Sequence, residues 1–111
     1  MIAVIFEVTV DPAQGDRYFE LAQALRKELD KADGFISIER FQSLVTPDKY
    51  VSLSFWQDRD AVEAWYRKPR HRAAQAEGRA GIFKDYRIRV ADVFRDYDMA
   101  AGRPESATVA G

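Results

Sequence analysis

One histidine, His71, stands in the 111-residue chain, six positions after Trp65 and with Pro69 between them. Imidazole titrates near neutrality, so a histidine beside an apolar pocket can take up a proton or donate a hydrogen bond. Trp65 and His71 both suit the space between a helix and a sheet. The structural alternative makes Trp65 a core residue and His71, between Arg70 and Arg72 near a helix start, a solvated surface group. A single histidine and no cysteine leave no paired-imidazole or thiolate set, and no carboxylates stand at ligand spacing, so neither a zinc nor a non-haem iron site is expected. Gly78-Arg79-Ala80-Gly81 follows a helical stretch and not a strand, so it reads as a cap and turn and not as a dinucleotide fingerprint. Neither a Gly-x-Ser-x-Gly elbow nor a phosphate loop occurs. What remains for chemistry is an aromatic-rich interior with a few polar groups.

The elements that must position these residues follow from periodicity. Residues 2 to 10 alternate, with Ile2, Val4, Phe6, Val8 and Val10 on one face, which is a strand ended by Asp11-Pro12. Residues 16 to 32 carry Tyr18, Ala22, Leu25 and Leu29 on one helical stripe, and Asp33-Gly34 stops that helix. Phe35 to Ser43 and Tyr50 to Gln57 are strands joined by a hairpin loop at Pro47-Asp48. Asp60 with Glu63 has the pattern of a capping box, opening a helix that holds Val62, Trp65 and Tyr66. Pro69 interrupts it, and a helical stretch from Arg70 to Glu77 ends at Gly78. Ile82 to Tyr97 is a long strand-like run whose parity switches, for which a bulge near Ala91 accounts. Residues 1 to 98 form one domain, and the small, polar tail from Met99 to Gly111 is expected to be mobile.

The order β-α-β, β-α-β defines an α+β, ferredoxin-like fold: an antiparallel sheet with helices on one face. Yet the strands carry large apolar residues on both parities, such as Phe35 and Phe41 against Ile36 and Ile38. A sheet apolar on both faces needs a second cover, and an identical subunit is the simplest one. Apolar residues make up 47% of the chain, enough for a core, and 17 basic against 18 acidic residues favour neither nucleic acid nor an anionic membrane. The apolar N-terminus lacks a basic region and meets Glu7 at once, so no signal peptide is expected, and no apolar run approaches the roughly 20 residues of a membrane span. The absence of cysteine fits a cytoplasmic location.

Gly34-Phe35-Ile36-Ser37-Ile38-Glu39-Arg40-Phe41, Ser52-Leu53-Ser54-Phe55-Trp56, Ala64-Trp65 and His71-Arg72-Ala73-Ala74-Gln75, in this order and spacing, resemble the antibiotic biosynthesis monooxygenase domain family over roughly residues 2 to 97. The resemblance implies a dimeric α+β barrel, built when two such sheets pack face to face. It also implies a homodimer that oxidises an electron-rich aromatic or quinol-type small molecule with O2 and needs no metal, flavin or other cofactor. In that chemistry a base removes a proton from the substrate and the resulting anion passes an electron to dioxygen. Trp65 matches the family's pocket tryptophan, and His71 sits where a family oxygenase has a tyrosine acting on substrate. Arg87, or its neighbour Arg89, would steady a substrate oxyanion. Phe6, Phe41, Phe55, Tyr66 and Tyr86 are the expected substrate contacts. The asparagine expected four residues before the tryptophan is Ala61 here. A haem-degrading branch of the family has an asparagine on the first strand and a histidine ten residues after the tryptophan, where this chain has Phe6 or Glu7 and Gln75. A third alternative is a dimeric module that binds a small molecule without catalysis.

Overall fold

The computed structural model describes residues 1–103, apart from the side chain of Arg70. Four antiparallel strands make one sheet: β1 (Ile2–Val10), β2 (Phe35–Gln42), β3 (Lys49–Trp56) and β4 (Phe83–Asp92), in the spatial order β2-β3-β1-β4. Between them run α1 (Gly15–Leu29), α2 (Arg59–Tyr66) and α3 (Pro69–Glu77). This is the α+β, ferredoxin-like arrangement, with the second helix of the motif split in two at Pro69. The expectation of a mobile tail concerns residues 99–111, of which 104–111 lie outside the described residues. No described helix is long and apolar enough to cross a membrane.

Local chemistry sets the element ends. Asp11 Oδ1 accepts the N–H of Ala13 (3.0 Å) and Pro12 cannot pair in the ladder, so β1 ends in a tight 3-10 turn that leads into α1. Gly34 follows α1 with φ 78°, a left-handed conformation that suits glycine, and a Cβ there would also come 2.6 Å from that of Ala61. The cap of α2 is Asp58 and not Asp60: the Asp58 carboxylate accepts the N–H of Ala61 at 2.9 Å. Helix α3 runs on through a wide turn, Gly78–Ile82, where a Cβ on Gly78 would run into the ring of Phe83. Strand β4 stops at Asp92, short of Tyr97, where its ladder with β1 ends at the Ile2–Asp92 pair. Beyond that pair Val93 N–H donates to Met1 O (2.9 Å), and the register shift falls at Thr9/Val10, not near Ala91.

The inward face of β1 explains where the site lies. At one end Ile2 joins Leu29, Trp56, Val62 and Trp65 in a buried cluster. At the other end Val8 and Val10 join Tyr18 and Ile82. Ile2, Val8 and Val10 are each at most 4% exposed, whereas Val4 and Phe6 between them are only half-buried. The interior is therefore packed at both ends of the sheet and open above its middle.

Candidate functional site

The opening is a cavity of about 650 Å³ between the sheet and the helices. Its floor is built from inward-facing strand residues: Ile38 and Arg40 of β2, Ser52 and Ser54 of β3, Val4 and Phe6 of β1, and Ile88 of β4. Two serines in the floor are what leave the room, since their side chains are short where Trp56 and Val8 are bulky. Ser54 is buried and its Oγ accepts the indole N–H of Trp56 (3.0 Å). The roof comes from α1 (Phe19, Leu21, Leu25), α2 (Val62, Trp65, Tyr66) and α3 (His71, Ala74, Gln75).

The proline that separates α2 from α3 turns the chain so that His71 comes back onto the end of α2. His71 is 8% exposed, so the solvated-surface alternative does not hold. Its ring stands edge-on to Trp65 (centroids 5.4 Å apart) and to Tyr66 (5.0 Å). Burial lowers the imidazole pKa below its usual value. At neutral pH this histidine is uncharged and has an acceptor nitrogen. Tyr66 moves the opposite way: burial first, and then the nearby Glu63 carboxylate, raise its pKa, so its O–H stays a donor. Two titratable groups side by side whose surroundings push them apart in this way supply one proton acceptor and one hydrogen-bond donor to the same cavity. Trp65, 7% exposed, belongs to the buried cluster and to the cavity wall at once, lying 6.0 Å from the Trp56 ring. A second, more open hollow shares Tyr66, His71, Gln75 and Ile88 with the first, and Tyr86 lines it.

Of the expected site residues, the cavity therefore brings together His71, Trp65, Tyr66 and Phe6, with Tyr86 in the neighbouring hollow and 5.9 Å from the ring of Phe6. Arg87, Phe41 and Phe55 do not join them. Strand parity decides this: Ile88, Arg40 and Ser54 point inward, so their chain neighbours point to the opposite face. Arg87 lies exposed there beside Glu7, and Arg89 donates from Nη1 to Glu7 Oε2 (2.7 Å), with Lys49 also near that carboxylate (3.7 Å). Neither arginine reaches an anion in this cavity. Ala61 packs against Gly34 and does not line the cavity.

The sequence reading missed Arg40, Ser52 and Ser54. Ser52 and Ser54 alternate with Val51, Leu53 and Phe55, a pattern that looks like a polar outer face, yet it is the serines that face the helices. Arg40 gave no signal as one charge among many on a strand. It reaches over Tyr18, with Nε donating to Tyr18 Oη at 2.9 Å. Among the described residues no group of three His, Asp or Glu side chains is placed to hold a metal. Gln75, which lines the cavity where the haem-degrading branch has its axial histidine, offers an amide, and Phe6 stands where that branch has asparagine, so the residues present do not fit that branch's haem site.

A ferredoxin-like sheet with a mainly apolar cavity under its split second helix defines a class, and comparison with known proteins places the chain within it. Residues 1–77 match the family model described as Antibiotic biosynthesis monooxygenase, and the chain belongs to that family. It is similar to the jasmonate monooxygenase ABM of Pyricularia oryzae, with 44% identity over 93 residues. That alignment covers 84% of this chain but only 43% of the relative, so the chain spans less than half of that protein. An uncharacterized Bacillus subtilis protein, YqjZ, is 29% identical over 93 residues, covering 84% of this chain and 79% of its own. In fold, the chain is similar to a Deinococcus radiodurans protein solved as a candidate antibiotic biosynthesis monooxygenase, with TM-score 0.81, 12% identity, and coverage of 89% and 98% of the two chains.

Proposed function

We propose that this monooxygenase-family chain oxidises an electron-rich small molecule, of aromatic or quinol type, with O2 and without a bound cofactor, in the cavity between helices and sheet. The observation that carries the reading is the pairing of a buried, neutral His71 with a protonated Tyr66 on the wall of an apolar cavity. A substrate methylene beside a phenol or carbonyl loses a proton to a His71 ring nitrogen. The Tyr66 O–H steadies the charge that develops on the substrate oxygen. The carbanion gives up electrons to O2, a C–O bond forms, and the imidazolium returns its proton to the new hydroperoxide. Loss of the second proton from that carbon breaks the O–O bond and leaves a carbonyl and water. In sum, one methylene and one dioxygen become one carbonyl and one water, so the substrate supplies every electron. The apolar wall of Phe6, Ile88 and Trp65 keeps water from competing for the carbanion. The relative's name adds jasmonate to anthrone- and quinol-type phenols as compounds to assay. Oxygen uptake that follows addition of such a substrate to purified protein tests the reaction, and its absence across these classes would count against it.

The same proposal includes a homodimer. The core clusters unite the helices with the even-numbered residues of β1, which leaves Ile5, Val51, Leu53 and Phe55 on the opposite face without a helix over them. Phe41 on that face is 46% exposed. A second copy packed sheet to sheet would cover this strip. Light scattering at micromolar concentration should give twice the chain mass of 12.7 kDa, and the monomer mass would reject the dimer.

A further inference from the structure

The floor of the cavity contains one continuous row across all four strands: Arg40 is paired with Ser52, Ser52 with Phe6, and Phe6 with Ile88. The row begins at a cation, Arg40, and ends at Ile88, which lines both of the hollows that His71 lines. Three inter-strand spacings separate the two ends, roughly 14 Å at about 4.8 Å each.

Arg40 is prepared for a ligand in a way the other cavity cation is not. Its guanidinium is held over the ring of Tyr18, itself 4% exposed, by the Nε hydrogen bond of 2.9 Å and a ring contact of 5.5 Å to the centroid, at the rim of the cavity that Arg40 lines. Among the described residues no carboxylate forms an ion pair with it. Its two terminal nitrogens thus keep the fork that matches a carboxylate. Arg26, by contrast, is occupied by Asp30 Oδ1 (3.3 Å) and by the carbonyl of Ile38 (3.2 Å). Glu39 borders the cavity, but by strand parity it shares the outward row with Leu53.

We infer that the cavity takes a molecule with an apolar body and one carboxylate, which Arg40 binds at the β2 edge while the far end lies against His71. Arg40 is then the specificity residue and Tyr18 its positioning residue. This rests on the reading of the cavity as the substrate site, and it adds the class of substrate and its direction of binding.

Intrinsic fluorescence tests it, because Trp56 and Trp65 both line the cavity. The probes are 5-phenylpentanoate and its methyl ester, which differ only in charge and one methyl group. The expected result is that the acid binds roughly 2–5-fold tighter than the ester, the range for an ion pair with an arginine that stays exposed, as Arg40 does. Arg40→Gln should bring the acid down to the affinity of the ester and leave the ester unchanged, while Arg26→Gln should preserve the preference. Equal affinities in the unmodified protein would overturn the inference and leave the monooxygenase reading standing. So would a preference that survives Arg40→Gln or is lost with Arg26→Gln. If neither probe binds, the inference falls, and the monooxygenase reading is then decided by oxygen uptake alone.

Discussion

Replacing His71 with glutamine separates the chemical role of the imidazole from its packing role. Glutamine keeps a polar side chain of similar reach but does not exchange a proton near neutral pH. Loss of a positioned base lowers turnover by about 10²–10⁴-fold. The structure also requires a stability effect, because His71 is buried against two aromatic rings. Edge-on ring pairs contribute about 0.5–1.5 kcal/mol each beyond area burial, so losing both costs roughly 1–3 kcal/mol. In a domain of this size each kcal/mol lowers the melting temperature by about 4–8 °C. Turnover is therefore assayed well below the variant's melting point and referred to folded protein by circular dichroism. The pH profile carries the decisive sign. Burial lowers the folded imidazole pKa below its usual 6.5, so the rate should rise with pH through an inflection below 6.5 and be flat above it. His71→Gln should remove that inflection. Stability runs in the same direction: the unfolded chain takes up this proton at about 6.5 and the folded one only lower. The contribution of neutral His71 is intact above 6.5 and is lost as pH falls through the folded value. A glutamine variant with near-normal turnover and an unchanged inflection would refute the assignment of His71 as base.

Trp65→Ala should cost about 3–5 kcal/mol, because the indole belongs to the buried cluster as well as to the cavity wall. An unaltered denaturation midpoint would make it a ligand contact alone. Asp58→Ala should cost about 0.5–2 kcal/mol by freeing the Ala61 N–H, whereas Asp60→Ala should cost less, and chemical denaturation compares the two.

Which of these features are legible in the sequence follows from what each residue's neighbours dictate. Strand β1 is legible to the residue because its alternation is strict and Asp11-Pro12 ends it. The α2 cap is missed by two residues because Asp58 and Asp60 are equally good acceptors, and only the backbone path selects the first. The end of β4 is not local at all: the alternation runs on to Tyr97, but the ladder with β1 ends at Asp92. The placement of Arg87, Phe41 and Phe55 fails for a related reason. When both faces of a sheet are apolar, composition does not say which face the helices cover, and a shift of one residue reverses every side chain. Ser52, Ser54 and Arg40 escape notice for the same reason, since short polar side chains on a strand look like solvent contacts. Trp65 and His71 are legible through their spacing around Pro69, which the turn between α2 and α3 converts into contact.

The monooxygenase reading of the Trp65–His71 cavity depends on one event, the insertion of oxygen from O2 into a substrate held there. The most direct measurement supplies purified protein with ¹⁸O2 and an anthrone- or quinol-type substrate and follows the label by mass spectrometry, with His71→Gln alongside. One labelled oxygen should appear in the product and the other in water, and the variant should lose the labelling. Product formed with unlabelled oxygen, or labelled equally well by the variant, would overturn the assignment.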